Sequence, residues 1–350
     1  MDKARLCEII GRFSELQVAV IGDFFLDRYL VIDSTLAEVS VETGLTVHQV
    51  VGKRLSPGAA GTVVSNLRAL GVGKVLCLGV IGLDGEGFEL KRHLEAIGAD
   101  YGGLIESDER FTPCYTKPML LEEGKERELE RIDIKNRAPL PQHIELELVE
   151  LLNDLLPNMD AVLVGDQVQE RNYGVVTDRV REAICHLAGQ FPEKVFLADS
   201  RVRIGEYWNV HLKPNKFEAT DAVLGNTRPD TARGVDVTID QARECAHELR
   251  KRTDRAVFLT AQEQGIFVID EYETHVPTFA PGGPIDPVGA GDSCAAAIAS
   301  ALAAGATTNE AALLGNVVAS ITIQKIGVTG TASPSEIEAR LDEINARRTK

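Results

Sequence analysis

A chain of 350 residues is long for one hydrophobic core and short for two, and its 44% apolar and 26% charged content is that of a globular protein. A formal charge of −16 argues against nucleic-acid and anionic-membrane partners, which both need a basic face, but leaves room for a phosphorylated ligand held by a few local cations. Six cysteines lie scattered without a CxxC pair, mostly in apolar segments, which suits reduced thiols in a cytoplasm, and no apolar run reaches the ~18 residues of a membrane span.

Residues 3–14 predict a short helix, and Gln17-Val18-Ala19-Val20-Ile21-Gly22 a buried strand ending in glycine. Asp23 and Asp27 follow at once. Ligands of open parallel sheets gather beyond the carboxyl ends of strands, so both acids are candidate acceptors for substrate hydroxyls, with a solvated turn as the alternative. Residues 35–51 alternate β-branched and charged side chains, and residues 111–134 do the same around a turn at Glu122-Glu123-Gly124-Lys125. The two segments, about 31–55 and 111–134, predict a small sheet of short strands standing off the core as a lid.

Between them, residues 56–71 hold a glycine-bearing turn, a small-residue helix and a glycine stop, and a strand at 75–82 and an amphipathic helix to about Ile97 follow. The remainder alternates: helix 142–155, strand 160–165, helix 174–189, strand 194–198, helix 239–252, strand 256–260, hairpin 265–276, and helices 309–325 and 334–346. That is the pattern of a parallel sheet covered on both faces. No Ser/Gly/Pro-rich linker divides it, so residues 1–350 are expected to form one α/β domain that carries the lid.

The stretch Asp286-Pro287-Val288-Gly289-Ala290-Gly291-Asp292-Ser293 opens an alanine-rich run read as a helix over about 292–304. A glycine-rich turn feeding a helix N-terminus aims unpaired N–H groups and the positive end of the macrodipole at one spot, which makes an anion hole. Asp292 at its lip is either the helix N-cap or a catalytic base, and these residues alone leave both readings open.

In this order, the features resemble the ribokinase-like (PfkB) carbohydrate kinases over nearly the whole chain, most specifically in Asp286-Pro287-Val288-Gly289-Ala290-Gly291-Asp292-Ser293. Within that family Gly22-Asp23-Phe24-Phe25-Leu26-Asp27-Arg28-Tyr29, Glu42 after Ser40-Val41, and Arg131-Ile132-Asp133 are most similar to the heptose-phosphate kinases of lipopolysaccharide precursor synthesis. The resemblance implies a three-layer α/β/α sandwich with a central, mostly parallel sheet and a small β-sheet lid. It implies ATP-dependent phosphorylation of a hydroxyl of a sugar or sugar phosphate, with a heptose-7-phosphate-like acceptor as the first expectation. A ribokinase, fructokinase or nucleoside kinase, and a non-catalytic nucleotide- or sugar-binding regulator, are the alternatives.

Carried over residue by residue, the resemblance makes Asp292 the base and the amides of Gly289, Ala290 and Gly291 the anion hole. Asp27, with Asp23, Gly58, Thr62, Asn66 and Arg131, would bind the acceptor. Asn215, Thr260, Gly265 and Asn316 would bind the nucleotide, Asn215 and Glu218 would hold Mg2+ through water, and Asp286 would mark a monovalent-cation (K+) site. Arg201 and Arg203 are further candidates for phosphate contacts, and an apolar outer face on the lid would pair two protomers. The sequence departs from the family where Gly58-Ala59-Ala60-Gly61-Thr62 puts alanine for the second glycine and threonine for an asparagine. Asn66, one helical turn on, is the candidate replacement. No HxGH-type nucleotidyltransferase motif occurs, so a fused second activity is not expected.

Overall fold

The computed structural model describes residues 3–122, 124–225, 237–279, 282–327 and 329–348. Its first half runs through helix α1 (Lys3–Gly11), strand β1 (Gln17–Gly22), strands β2 (Phe24–Val39) and β3 (Thr46–Ala59), helix α2 (Ala60–Ala69), β4 (Lys74–Gly82), α3 (Gly85–Ala96), β5 (Asp100–Ser107), β6 (Cys114–Glu122), β7 (Lys125–Glu128) and β8 (Ile132–Ile134). The second half adds α4 (Gln142–Leu155), β9 (Ala161–Asp166), α5 (Asp178–Gln190), β10 (Val195–Ser200), β11 (His211–Leu212), α6 (Lys216–Leu224), α7 (Ile239–Thr253), β12 (Val257–Thr260), β13 (Ile266–Ile269), β14 (Glu273–Val276), α8 (Ala290–Ala303), α9 (Thr308–Thr322) and α10 (Pro334–Arg348).

Among the described residues nine strands form the main sheet, in the order β14-β13-β12-β11-β10-β9-β1-β4-β5. Pairing is parallel from β5 to β12 and antiparallel through β13 and β14. Central strands buried on both faces read as continuous apolar runs, and β1 shows why. Its Val18 and Val20 enter the core shared with α1, α2, α3, α8, α9 and α10, while Ala19 and Ile21 enter the one shared with α4, α5, α6 and α7. The result is the expected three-layer sandwich.

The lid is larger at its root than its sequence implies. Its strands β2 and β3 form one antiparallel hairpin of 16 and 14 residues, with Phe24 opposite Ala59, so the hairpin leaves the core directly at the end of β1 and returns directly into α2. On its other side β2 pairs in parallel with β6, which carries β7 and β8. At the far end Leu36, Val39, Val41 and Leu45 are 50%, 70%, 103% and 69% exposed, an unpartnered apolar tip. Glu123 of the expected lid turn lies outside the described residues.

Three elements were hidden in the sequence. The glycines of β5 dilute its strand signal, β11 is two residues long, and α6 begins inside the Asn215-Lys216-Phe217-Glu218 motif. Helix α5 starts later than its periodicity suggests, because Thr177 caps it by accepting the Val180 N–H; residues 167–177 are left as a loop. Five of the six cysteines are buried and all six are free. No helix among the described residues is long and apolar enough to cross a membrane.

Candidate active site

The chain builds outward from β1 in two directions, through β4 and β5 on one side and β9 to β12 on the other. The boundary between β1 and β9 is therefore the sheet's switch point, where a crevice opens beyond the strand ends. Gly22 and Gly165 keep the two strands close there, since a Cβ on Gly22 would lie 2.3 Å from the Gly165 carbonyl oxygen. A cavity of about 480 Å3 occupies this crevice, walled by the lid, the loop after β9 and the start of α8.

Asp27 and Asp292 both line it. Asp27 projects from β2 against β3, where Gly58 makes room: a Cβ there would lie 2.6 Å from the Asp27 Oδ2 atom. Burial pushes the Asp27 carboxyl upward, opposed by Lys117 and Arg131. Asp292 is pushed up to about 7, first by burial and then by the Asp199 carboxylate, against the pull of Lys213 and Arg201. It does not cap α8. Gly289 is the N-cap, at φ 78°, and no side chain closes the helix start, so Asp292 lies in the first turn with its carboxylate uncommitted to capping. The left-handed backbone and Thr329, whose Cγ2 atom lies 2.6 Å from where a Cβ would stand, both require glycine at position 289. Thr62 borders the same spot and donates to the Pro57 carbonyl. Of the three amides expected to form the anion hole, that of Ala290 donates to the Pro287 carbonyl at 3.1 Å.

Other expected residues have different tasks. Asp23 borders the cavity, but its Oδ2 accepts the amides of Gln167 and Val168 and its Oδ1 that of Val175, so it clamps the loop after β9 instead of reaching for a substrate. Asn66 does not reach the cavity; it is fully buried and its amide donates to Thr62 O inside α2. Arg203 is also turned inward, pairing with Asp166 at 3.1 Å and donating to the Val168 and Gln169 carbonyls, whereas Arg201 does line the cavity. Asp286 accepts the Val288 amide with Oδ1 in a tight turn.

Of the residues expected to bind the nucleotide and its metal, Asn215 and Glu218 form a capping box at the start of α6. Asn215 Oδ1 accepts the amides of Phe217 and Glu218, and Glu218 Oε2 accepts the Asn215 amide. Thr260, at the end of β12, is tied to Pro214 through its amide and hydroxyl. Gly265 turns the chain into β13 at φ 89°, with a would-be Cβ 2.3 Å from the Val276 carbonyl oxygen. Asn316 donates to that carbonyl at 2.8 Å and so braces the turn from α9 instead of presenting its amide to a ligand.

Sequence reasoning named Arg131 but missed the residues grouped with it, and missed a second group entirely. Along β6, Tyr115 and Lys117 are two residues apart and share a face, a period-2 signal that the strand carries in plain view. Lys117 lies 5.0 Å from the Tyr29 ring centre, Arg131 4.5 Å and Lys135 5.6 Å from that of Tyr115, and all three cations line the cavity. Arg131 also pairs with Asp133. The second group is deeper: Asp199, at the end of β10, pairs with the buried Lys213 at 2.8 Å, beside Glu218.

The donor set suits Mg2+. Glu218 is pushed well up from its ordinary range, first by burial and then by Asp199, with Lys213 pulling the other way. Three carboxylates, Asp199, Glu218 and Asp292, thus face the Lys213 ammonium and the Arg201 guanidinium, hard oxygen in excess of the cations that a hydrated divalent cation would neutralise. No group of three or more His, Cys, Asp or Glu side chains among the described residues forms a dedicated metal cage.

Residues 16–336 match the family described as pfkB family carbohydrate kinase. The bifunctional protein HldE of Citrifermentans bemidjiense is 30% identical over 346 residues, 97% of this chain and 66% of the relative. That of Wolinella succinogenes is 29% identical over 323 residues, 91% of this chain and 63% of the relative. The chain spans a little under two thirds of the length of the curated relatives it matches first. Among solved structures, the phosphofructokinase-2 of Escherichia coli in complex with fructose-6-phosphate is similar with a TM-score of 0.68 at 16% identity, covering 94% of this chain and 99% of the other. The ribokinase of Thermotoga maritima is similar with a TM-score of 0.64 at 18% identity, covering 93% and 99%. These two likenesses establish the fold.

Proposed function

The chain belongs to the pfkB family of carbohydrate kinases, and from that premise we propose that it transfers the γ-phosphoryl group of ATP to a hydroxyl of a sugar that already carries a phosphate, a heptose 7-phosphate being the first choice. The observation that carries the phosphorylated acceptor is the cation cluster Lys117, Arg131 and Lys135 at the lid end of the cavity, in a chain whose net charge is −16. Asp27 feels Lys117 and Arg131 on one side and influences Asp292 on the other, which supports a phosphate at the lid and the reacting hydroxyl at α8. The heptose comes from the resemblance of residues 22–29 and 131–133 to heptose-phosphate kinases.

In this reading Asp27 orients the acceptor, with Gly58 and Thr62 bordering it. Asp292 takes the hydroxyl proton as the new O–P bond forms and the bond to ADP breaks. A carboxyl held near 7 is matched to that work at neutral pH. The N–H groups of Gly289 and Gly291, joined by Ala290 once it leaves Pro287, stabilise charge on the transferring phosphoryl. Asn215, Thr260, Gly265 and the Asn316-braced turn cradle the nucleotide. Asn215 and Glu218 hold Mg2+ through water, and Asp286 a monovalent cation. Bound with the triphosphate, Mg2+ supplies neutralisation of its phosphoryl oxygens. The reaction belongs in the cytoplasm, in keeping with the free thiols, and two protomers pair through the apolar lid tip.

Coupled ADP release over paired acceptors, each sugar beside its phosphate ester and with nucleosides included, tests the proposal. The phosphate esters should be preferred by two orders of magnitude or more in kcat/KM. Arg131→Met should raise KM for the esters roughly ten- to a hundredfold, the worth of one charge-assisted hydrogen bond, and leave neutral sugars unaffected. Equal turnover of both members of each pair would overturn the phosphorylated acceptor.

A further inference from the structure

Asp23 is the single residue between β1 and β2, and its own backbone is fixed at the sheet's switch point: its amide donates to the Gly165 carbonyl of β9 and its carbonyl accepts the Ala60 amide of α2. Its buried side chain draws both ends of one loop onto a single carboxylate. Oδ2 takes the amides of Gln167 and Val168 at 3.0 and 3.1 Å, and Oδ1 takes that of Val175 at 2.7 Å. Two buried guanidinium groups grip the same ends through their carbonyls. Arg203 donates to Val168 and Gln169 at the entry, and Arg110 donates to Tyr173 at the exit and to Ala138 beside it at 2.8 Å. Glycine at 174 permits this closure, because a Cβ there would lie 2.6 Å from Asp23 Oδ1. The tip is tied as well, since the Asn172 carbonyl accepts the Leu140 amide at 2.8 Å and its side chain accepts that of Asp178.

Burying charge is costly unless its hydrogen bonds are made, and here three buried charges, Asp23, Arg110 and Arg203, direct theirs to one loop, residues 167–175. That loop forms a wall of the acceptor cavity, and two of its exposed polar side chains, Gln169 and Glu170, line it. A side-chain amide both donates to and accepts from hydroxyl groups, and a carboxylate accepts from them. Glu170 also repels an anion, whereas the lid presents Lys117, Arg131 and Lys135 to the same cavity, so the two walls sort a sugar phosphate by its ends. We propose that Asp23 is a positioning residue for acceptor selection: by closing residues 167–175 on one carboxylate it holds Gln169 and Glu170 in place as partners for the acceptor's hydroxyls. Asp23 itself touches neither acceptor nor nucleotide. Groups fixed in advance lose little freedom on binding, which is how a preformed wall gains both affinity and orientation.

The inference rests on the kinase reading, and a wild type that phosphorylates at least one acceptor of the panel establishes that reading before any variant is measured. With that acceptor, Asp23→Asn, which keeps the volume but turns an NH2 group toward amide donors, should raise KM roughly ten- to a hundredfold. Gly174→Ala, which pushes on the same carboxylate from the loop side, should do the same. Both should keep KM for ATP within about threefold of wild type, and in both the amides of Gln167, Val168 and Val175 should lose protection from hydrogen exchange. A role in stability alone would lower the folded fraction and with it kcat, and would leave KM for the acceptor where it was; that result would overturn the proposal. Gln169→Ala and Glu170→Ala alter exposed side chains, so both should fold as the wild type does and raise the same KM roughly three- to thirtyfold. They decide the matter even where Asp23→Asn fails to fold, because an unchanged KM in both would overturn the loop as the reader of acceptor hydroxyls. A neutral sugar as the preferred acceptor would change the phosphate reading and leave this test intact.

Discussion

Asp292→Asn removes one carboxylate at constant volume and should act on turnover and stability in opposite directions. As the base, Asp292 is worth at least ~10²–10⁴ in kcat. As a buried acid pushed from the ordinary ~3.9 up to about 7, it weakens the fold wherever it is ionised. The sign follows from proton counting. Between those two values the folded chain holds a proton that the unfolded chain has released, so stability falls as pH rises across the interval and is level above it. Three powers of ten in proton affinity correspond to ~4 kcal/mol at pH 8, and water at the cavity mouth reduces this to ~2–4 kcal/mol. At pH 5 the same reckoning leaves ~1 kcal/mol. Urea unfolding of both proteins from pH 5 to pH 8 should therefore show the asparagine variant gaining on the wild type as pH rises, while its turnover collapses. Wild-type kcat/KM should rise with pH through about 7. A stability gap that does not change with pH would refute the strained carboxylate, and a variant with normal turnover would refute the base.

Gly265→Ala must place a Cβ 2.3 Å from the Val276 carbonyl oxygen at a φ of 89°; it should cost ~3 kcal/mol or more in chemical denaturation and raise KM for ATP, and an unchanged midpoint would count against the turn as built. Ala59 caps α2 at φ 51°, ψ −119°, a backbone conformation that suits glycine better, so Ala59→Gly should gain ~0.5–1 kcal/mol; a loss of stability would show that the alanine is not strained. Replacing Val39 and Val41, 70% and 103% exposed, by lysine should convert a sedimenting dimer to monomer without loss of the fold. A wild type that sediments as a monomer at every concentration would remove the lid pairing.

The sheet and its covering helices were legible because the period of the apolar residues changes cleanly between β1, α2, β4 and α3 and again along the second half. The two roles of Asp292 were not separable from sequence, because a cap and a base make the same demand on residue type. Only the left-handed backbone at Gly289 shows that the cap lies three residues earlier. Asn215 and Glu218 posed the mirror problem: the spacing that suggests a metal also satisfies a capping box, and reading the first concealed helix α6. Asp23 was misread because its partners, Val175 among them, are more than 140 residues away and no local pattern announces them. For Asn66 the helical period placed it correctly on the Thr62 face, but only the first turn of α2 borders the cavity. The lid cations were in reach of sequence through the alternation of Tyr115 and Lys117; the partnership of Lys213 with Asp199 was not, since it depends on β10 and β11 being neighbours.

The β2–β3 hairpin of the lid has no linker at its root. Strand β1 ends at Gly22 and β2 begins at Phe24, while β3 ends at Ala59 and α2 begins at Ala60. A hairpin continuous with the core at both strands cannot swing as a door; it can twist along its length as a stiff ribbon clamped at one end. Displacement then grows with distance from the clamp. Asp27 and its cross-strand partner Tyr115, with Arg131 and Lys135 packed on that ring, are close to it, whereas Tyr29 and Lys117 are one step further out. In the proposed reaction such a device would gauge an acceptor unequally at its two ends, holding the reacting hydroxyl to a fixed position while accommodating sugars of different length at the other.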